Sequence, residues 1–257
     1  MDHTSAPSES LRVLTLAERP SLAQRLHTLE DDSFPSYLNE EETWLSTRER
    51  ILSSFARYHV AVVDGDEHLA GICVNVPLCW TGQVSDLPGY NELLLRCLEE
   101  HEAGKAPTAL CAILGAVAPE YRSRGIAGRM LEIVCRMLSP RGIRWYLSPV
   151  RPAIKHLYPT FGIDEYLAWR LPDNRLIDPW LNSFLEDGAK ILGVARDAIT
   201  ITAPIARWSE WTKMAFPVSG TYVIPGGHRP LVVSLETGLA RYAEDHVWYC
   251  INDVGGE

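Results

Sequence analysis

Apolar positions along the chain switch repeatedly between a spacing of two and a spacing of three to four, and the switches mark out its elements. Residues 11–16 alternate and predict a first strand; 18–29 read as a helix. Residues 31–39, with Phe34, Pro35 and Tyr37, read as a loop, and 40–55 as a second helix with Trp44, Leu45, Ile51 and Leu52 on its apolar side. Strands follow at 59–63 and 68–76, joined at Asp64-Gly65-Asp66, a hairpin turn signal. The stretch 77–107 holds a helix near 90–101, and the apolar run 108–117 has strand length. After it Ile126, Met130, Ile133 or Val134, and Met137 recur at helical spacing, with Arg129, Glu132 and Arg136 opposite and Pro140 and Gly142 as stop signals. A fifth strand is expected at 144–147, a short helix at 153–158 opened by Pro152 and limited by Pro159, and a sixth strand at 165–171. Beyond these, 178–192 reads as a helix, Trp208 and Trp211 flank a helical turn, and 197–203, 221–225, 230–235 and 246–251 read as short strands.

The chemistry concentrates where the strand 108–117 turns into the following helix, through Gly115-Ala-Val-Ala-Pro-Glu-Tyr-Arg-Ser-Arg-Gly-Ile-Ala-Gly128. Such a turn aims several unpaired backbone N–H groups at one spot, at the positive end of a helix dipole, and suits a phosphate group. Gly125 lets the backbone approach a ligand with no Cβ in the way, and Ala127 and Gly128 keep the first helical turn thin. Val117-Ala118-Pro119 followed by Arg122-Ser123-Arg124-Gly125-Ile126-Ala127 resembles the acyl-CoA-binding signature of the GNAT N-acetyltransferase superfamily, Gln/Arg-x-x-Gly-x-Gly/Ala after a strand.

The resemblance implies an α/β fold with a GNAT-like mixed central sheet flanked by helices, and acetyl-CoA or another acyl-CoA as acyl donor. Val117 and Ala118 would pair with pantetheine through their backbone, and Arg122, Ser123, Arg124, Gly125, Ile126, Ala127 and Gly128 would hold the pyrophosphate. Tyr158-Pro159-Thr160-Phe161-Gly162-Ile163 is similar to the family's Tyr-x-x-x-Gly-Phe segment, with Ile163 for Phe. By the same resemblance Tyr158 is the candidate acid that protonates the departing thiolate, since a phenol is protonated at neutral pH. The likeness spans 11–171. It leaves 1–10 as an expected disordered start and 172–257 as a β-rich extension or small lobe.

Three departures stand out. Residues 77–107 form an insertion, Arg151 stands where the family often has Asn, and the strand 109–114 lacks the Glu that serves many relatives as base. His59 and His156 are candidate replacements, each with a structural reading beside it; Cys111 reads as inert packing. The acids of 30–32 and 40–42 flank Phe34, Tyr37 and Trp44, a setting for a cationic amine or simply helix-start charges on a solvated loop.

Composition narrows the partners. The chain has 257 residues and a net charge of −9, which argues against a general binder of nucleic acid or anionic membrane. Within that acidity, 122–151 carries Arg122, Arg124, Arg129, Arg136, Arg141, Arg144 and Arg151 against Glu132, a patch suited to a small polyanion. Six scattered cysteines without a C-x-x-C pair suit reduced thiols in a cytoplasmic protein. No run reaches membrane-spanning length, and eight dispersed histidines suggest no metal site. Dinucleotide, P-loop, nucleophile-elbow and zincin signatures are absent. The expectation is acyl transfer from acyl-CoA to an amine of a small molecule or peptide, by direct attack. Acyl transfer from a carrier-protein thioester, or a non-catalytic acyl-CoA sensor, are the alternatives, and a homodimer is left open.

Overall fold

The computed structural model describes residues 11–253, so the expectation for 1–10 lies outside the described residues. The order opens with β1 (Arg12–Thr15), a 3-10 turn (Pro20–Arg25), α1 (Leu26–Asp31), α2 (Ser36–Asn39), α3 (Glu42–Ser54), β2 (Val60–Val63) and β3 (Leu69–Leu78). It continues through α4 (Tyr90–Glu102), β4 (Ala109–Val117), α5 (Ile126–Leu138), β5 (Trp145–Val150), α6 (Ile163–Ala168) and α7 (Pro179–Glu186). The chain closes with β6 (Lys190–Pro204), α8 (Ile205–Thr212), β7 (Gly220–Tyr222), β8 (Leu231–Ser234) and β9 (Leu239–Asp253). No helix among the described residues is long and apolar enough to cross a membrane.

The nine strands among the described residues join one sheet in the order β1-β2-β3-β4-β5-β9-β8-β7, with β6 on the other edge of β9. Neighbours run antiparallel except β4 and β5, whose parallel ladder covers Ala109↔Trp145 to Cys111↔Leu147 and then stops. From Ser148 onward β5 stays with β9, as Ser148↔Tyr249 to Val150↔Val247, so β4 and β5 part company.

Several elements differ from expectation for local reasons. The expected strand at 165–171 is the helix α6, because Ile163 and Tyr166 are buried three apart and Asp164 and Glu165 sit in its first turn. The place beside β5 is taken by β9. The expected helix at 18–29 begins as a 3-10 turn at Pro20, the loop 31–39 contains α2, and 153–158 is a single 3-10 turn, Lys155–Leu157. The helix at 178–192 ends at Glu186, near Gly188 at φ +87, and the chain re-extends into β6. Of the strands expected after residue 192, β6 and β9 are longer than the pattern implied and β7 and β8 shorter, and all extend the main sheet.

Helix α5 buries Ile126, Met130, Val134 and Leu138, a stripe of four-residue spacing, against the sheet. Its first turn lies close over β3 at Gly71, where an added Cβ would meet Ile126 Cγ2 at 3.0 Å and the Ala116 carbonyl at 3.2 Å. That glycine sets how near the helix entrance can come. Gly71→Val is therefore expected to lower stability by about 1–3 kcal/mol through overpacking, read by chemical denaturation; an unchanged midpoint would contradict this packing.

Candidate active site

The parting of β4 and β5 opens a cavity of about 520 Å³ that extends to the N-terminus of α5. Its polar start is the last tie between the strands: the Ser148 hydroxyl donates to the Ala112 carbonyl at 3.0 Å. Beyond it the parity of β4 decides what is on offer. The Ala118 N–H points to β3, donating to the Ala70 carbonyl at 3.0 Å, so alternate residues Ala116 and Leu114 face the same neighbour. Gly115 and Val117 turn their amide groups the other way, into the opening. Gly115 is exposed, with nothing within 4 Å of where its Cβ would be.

The turn that follows is braced at both ends. Tyr121 donates its hydroxyl to Asp64 in the β2–β3 hairpin at 2.6 Å, which holds that buried carboxyl down at about 2. Arg122 donates to the carbonyls of Val117 (3.1 Å) and Asp32 (3.2 Å), stitching the end of β4 to the loop after α1. Gly125 adopts φ +73 as the N-cap of α5, a left-handed geometry that glycine tolerates best, and has open space in front of it. The N–H groups of Ile126, Ala127 and Gly128 form the first helical turn and have no acceptor within the helix.

A second group of polar side chains comes from distant parts of the chain. On its edge toward β5 and β8, β9 is unpaired between Arg241 and Val247, and there Glu244 and His246 project with Arg151 against them. Arg151 donates Nε to Glu244 Oε1 at 2.8 Å and an Nη to Oε2 at 3.1 Å, and also bonds the Gly226 carbonyl at 2.8 Å. Tyr242 donates to Glu244 at 2.6 Å, and His246 Nε2 lies 2.9 Å from it. Burial pushes this carboxyl up, but Arg151 first and then the hydrogen bond from His246 outweigh it and hold it well below the ordinary range. Arg151 and His246 line the cavity together with Tyr90, Glu30 and Glu41. Burial raises Glu30, opposed by Arg48, and burial with Glu30 and Glu41 nearby keeps Tyr90 protonated.

No protein-family model matches the chain. The arginine N-acetyltransferase avaD of Aspergillus versicolor is 25% identical over 276 residues, covering 94% of this chain and 93% of that protein. The loading GNATL domain of CurA from Lyngbya majuscula has a TM-score of 0.59 at 14% identity, over 73% of this chain and 88% of the domain. The GNAT-like decarboxylase GphF, solved with isobutyryl-CoA, has a TM-score of 0.55 at 18% identity, over 94% of this chain and 99% of its own. The chain has the GNAT fold.

On this GNAT fold the residues singled out in the sequence divide. Val117, Arg122, Ser123, Gly125, Ile126 and Ala127 line one cavity. Ala118 does not present its N–H there, and Gly115 takes its place beside Val117. Arg124 lies over the Tyr121 ring at 5.2 Å, and Gly128 faces open space. Tyr158 is not in the cavity wall; its ring packs against Trp169 (5.1 Å) and Tyr166 (6.1 Å). His59 is buried between the Ile51 carbonyl and the Asn75 N–H, depressed to about 4 by burial, and His156 is bonded to the Ala153 carbonyl. Burial raises the Cys111 thiol well above its ordinary value, which makes it inert. Among the described residues no group of three or more His, Cys, Asp or Glu is placed to hold a metal ion. The pair Glu244 and His246 was not legible in the sequence, where the expected strand begins at 246 and Glu244 falls before it.

The Arg151–Glu244 pair predicts its own test. Arg151→Leu leaves a buried, uncompensated carboxylate and is expected to cost about 3–5 kcal/mol. Adding Glu244→Leu should restore part of that loss in chemical denaturation; a double variant less stable than the single would contradict the pairing.

Proposed function

We propose that this chain transfers an acyl group, acetyl by default, from acyl-CoA to an amine of a small molecule. The observation that carries the reading is the continuity of one cavity from the open edge of β4 to the N-terminus of α5. Gly115 and Val117 would pair with the pantetheine arm as a missing strand would. The amides of 125–128 would take the diphosphate, with the helix dipole favouring its charge. An amine acceptor suits the relative that carries the name arginine N-acetyltransferase. It also suits the far wall of the cavity, where Glu30 and Glu41 are buried beside Phe34 and Trp44. A cavity of this size favours a small molecule over a peptide. The net charge of −9 fits no nucleic-acid or anionic-membrane partner. None of the six cysteines is in a disulfide among the described residues, which supports the cytoplasm as its compartment.

In the reaction the amine nitrogen attacks the thioester carbonyl, the C–N bond forms and the C–S bond breaks. Holding donor and acceptor together can account for about 7–11 kcal/mol of the barrier, against about 10²–10⁴-fold for acid–base help. Positioning by the two halves of the cavity therefore dominates.

Release of free thiol from acetyl-CoA across a panel of small amines tests the reading. Amine-dependent release is expected in the wild type, with CoA affinity at least tenfold weaker in a folded Gly125→Glu variant, where a side chain at positive φ adds strain, bulk and negative charge. Release with no amine in the panel, or unaltered CoA affinity by calorimetry, would argue against it. For the sulfur, Tyr158 is the proposed donor, and to serve it must turn its ring from Trp169 into the cavity. Tyr158→Phe is then expected to slow turnover by about 10²-fold or more with donor saturating; a loss under about threefold would leave the residue as part of the aromatic packing only.

A further inference from the structure

We infer that His246 is the general base that accepts a proton from the attacking amine, oriented by Glu244 and, through it, by Arg151. This rests on the acyltransferase reading above and supplies the base that the apolar strand 109–114 does not hold.

The geometry fixes the tautomer. Glu244 is ionised, so it can only accept, and the hydrogen on the 2.9 Å contact must sit on His246 Nε2. In the neutral ring the other nitrogen, Nδ1, carries a lone pair. It is buried, finds no partner among the described residues, and belongs to a residue that is 3% exposed and lines the cavity. A buried ring nitrogen without a partner is costly in a purely structural role. In a site that admits an amine it can take the proton once the bound amine displaces the atoms that now cover it. Glu244 cannot swing away, because Arg151 and Tyr242 each bond it.

The surroundings of the ring set its charge balance. Glu244 lies on the same strand and Arg151 follows β5. His228, from the connection between β7 and β8, lies 3.9 Å from Glu244 and is kept neutral by burial and by Arg151. From α4 the Tyr90 ring meets the imidazole edge-on at 6.0 Å and is uncharged. Strand β6 opposes it with Ala195, which cannot titrate, and Glu30 and Glu41 face the same cavity. The step balances: one N–H proton passes to Nδ1 as the C–N bond forms, the C–S electron pair leaves on sulfur, the thiolate gains a proton, and His246 returns its own to solvent.

Three measurements test this. First, ring ¹⁵N shifts of the wild-type protein should show Nε2–H with a pyridine-type Nδ1; an Nδ1–H tautomer overturns the assignment whatever the assay shows. Second, His246→Ala and His246→Gln should lower kcat/KM for the amine by about 10²–10⁴-fold, with CoA affinity by calorimetry within twofold and partial rescue of the alanine variant by added imidazole. Third, the acidic limb of the pH profile should vanish in both variants. A loss under about threefold, or a limb that persists without the imidazole, overturns the base. If the tautomer is as stated but no amine releases thiol, the acyltransferase reading falls and the base with it.

Discussion

The structure depends on a ladder that stops. Strands β4 and β5 pair over three residues each, Ala109 to Cys111 with Trp145 to Leu147, and the Ser148 hydroxyl closes the seam on the Ala112 carbonyl. Past that point β5 follows β9 while β4 stays with β3, so the Gly115 amide and the Val117 N–H are left without a strand partner, while Arg122 covers the Val117 carbonyl. Backbone polar groups left open in this way call for another hydrogen-bonding surface, water or ligand. The same strand delivers the chain directly into α5, whose first turn offers further unpaired N–H groups. Cavity and proposed anion site are thus two consequences of one broken pairing.

The last third of the chain completes the site. Strand β9 covers the far edge of β5 and carries Glu244 and His246 on the stretch that neither β5 nor β8 pairs. Arg151 enters this gap from the end of β5, and its charge offsets that of Glu244 where water is excluded. Because the Arg151 guanidinium also holds the Gly226 carbonyl, it ties the loop before β8 to the same centre. Residues after 171 therefore supply sheet, cavity wall and ionisable groups together.

How much of this the sequence revealed follows from which elements obey their period. The turn and helix at 115–138 were readable because Gly125, the arginines and the stripe Ile126, Met130 and Val134 agree with one another at every level. The β2–β3 hairpin was readable from Asp64-Gly65-Asp66, though not that Asp64 would brace the turn through Tyr121. Strand β9 was only half visible: Glu244, Asp245 and His246 are consecutive, all are buried, and no alternation survives across them. Strand β6 is broken by a register shift between Ala195 and Ile199, which breaks its period too. At 163–168 the spacing of Ile163 and Tyr166 favours a helix, and the β-prone Tyr and Trp nearby obscured it. Ala118 was placed by motif, whereas the direction of its N–H follows from strand parity, which no motif records.

The most direct test of the central claim is a crystal structure of the protein with CoA bound. The account predicts the pantetheine amides paired with Gly115 and Val117 and the diphosphate on the N–H groups of 125–128, with the sulfur directed into the part of the cavity lined by His246. A diphosphate bound elsewhere, or an arm that leaves the β4 edge unpaired, would contradict it.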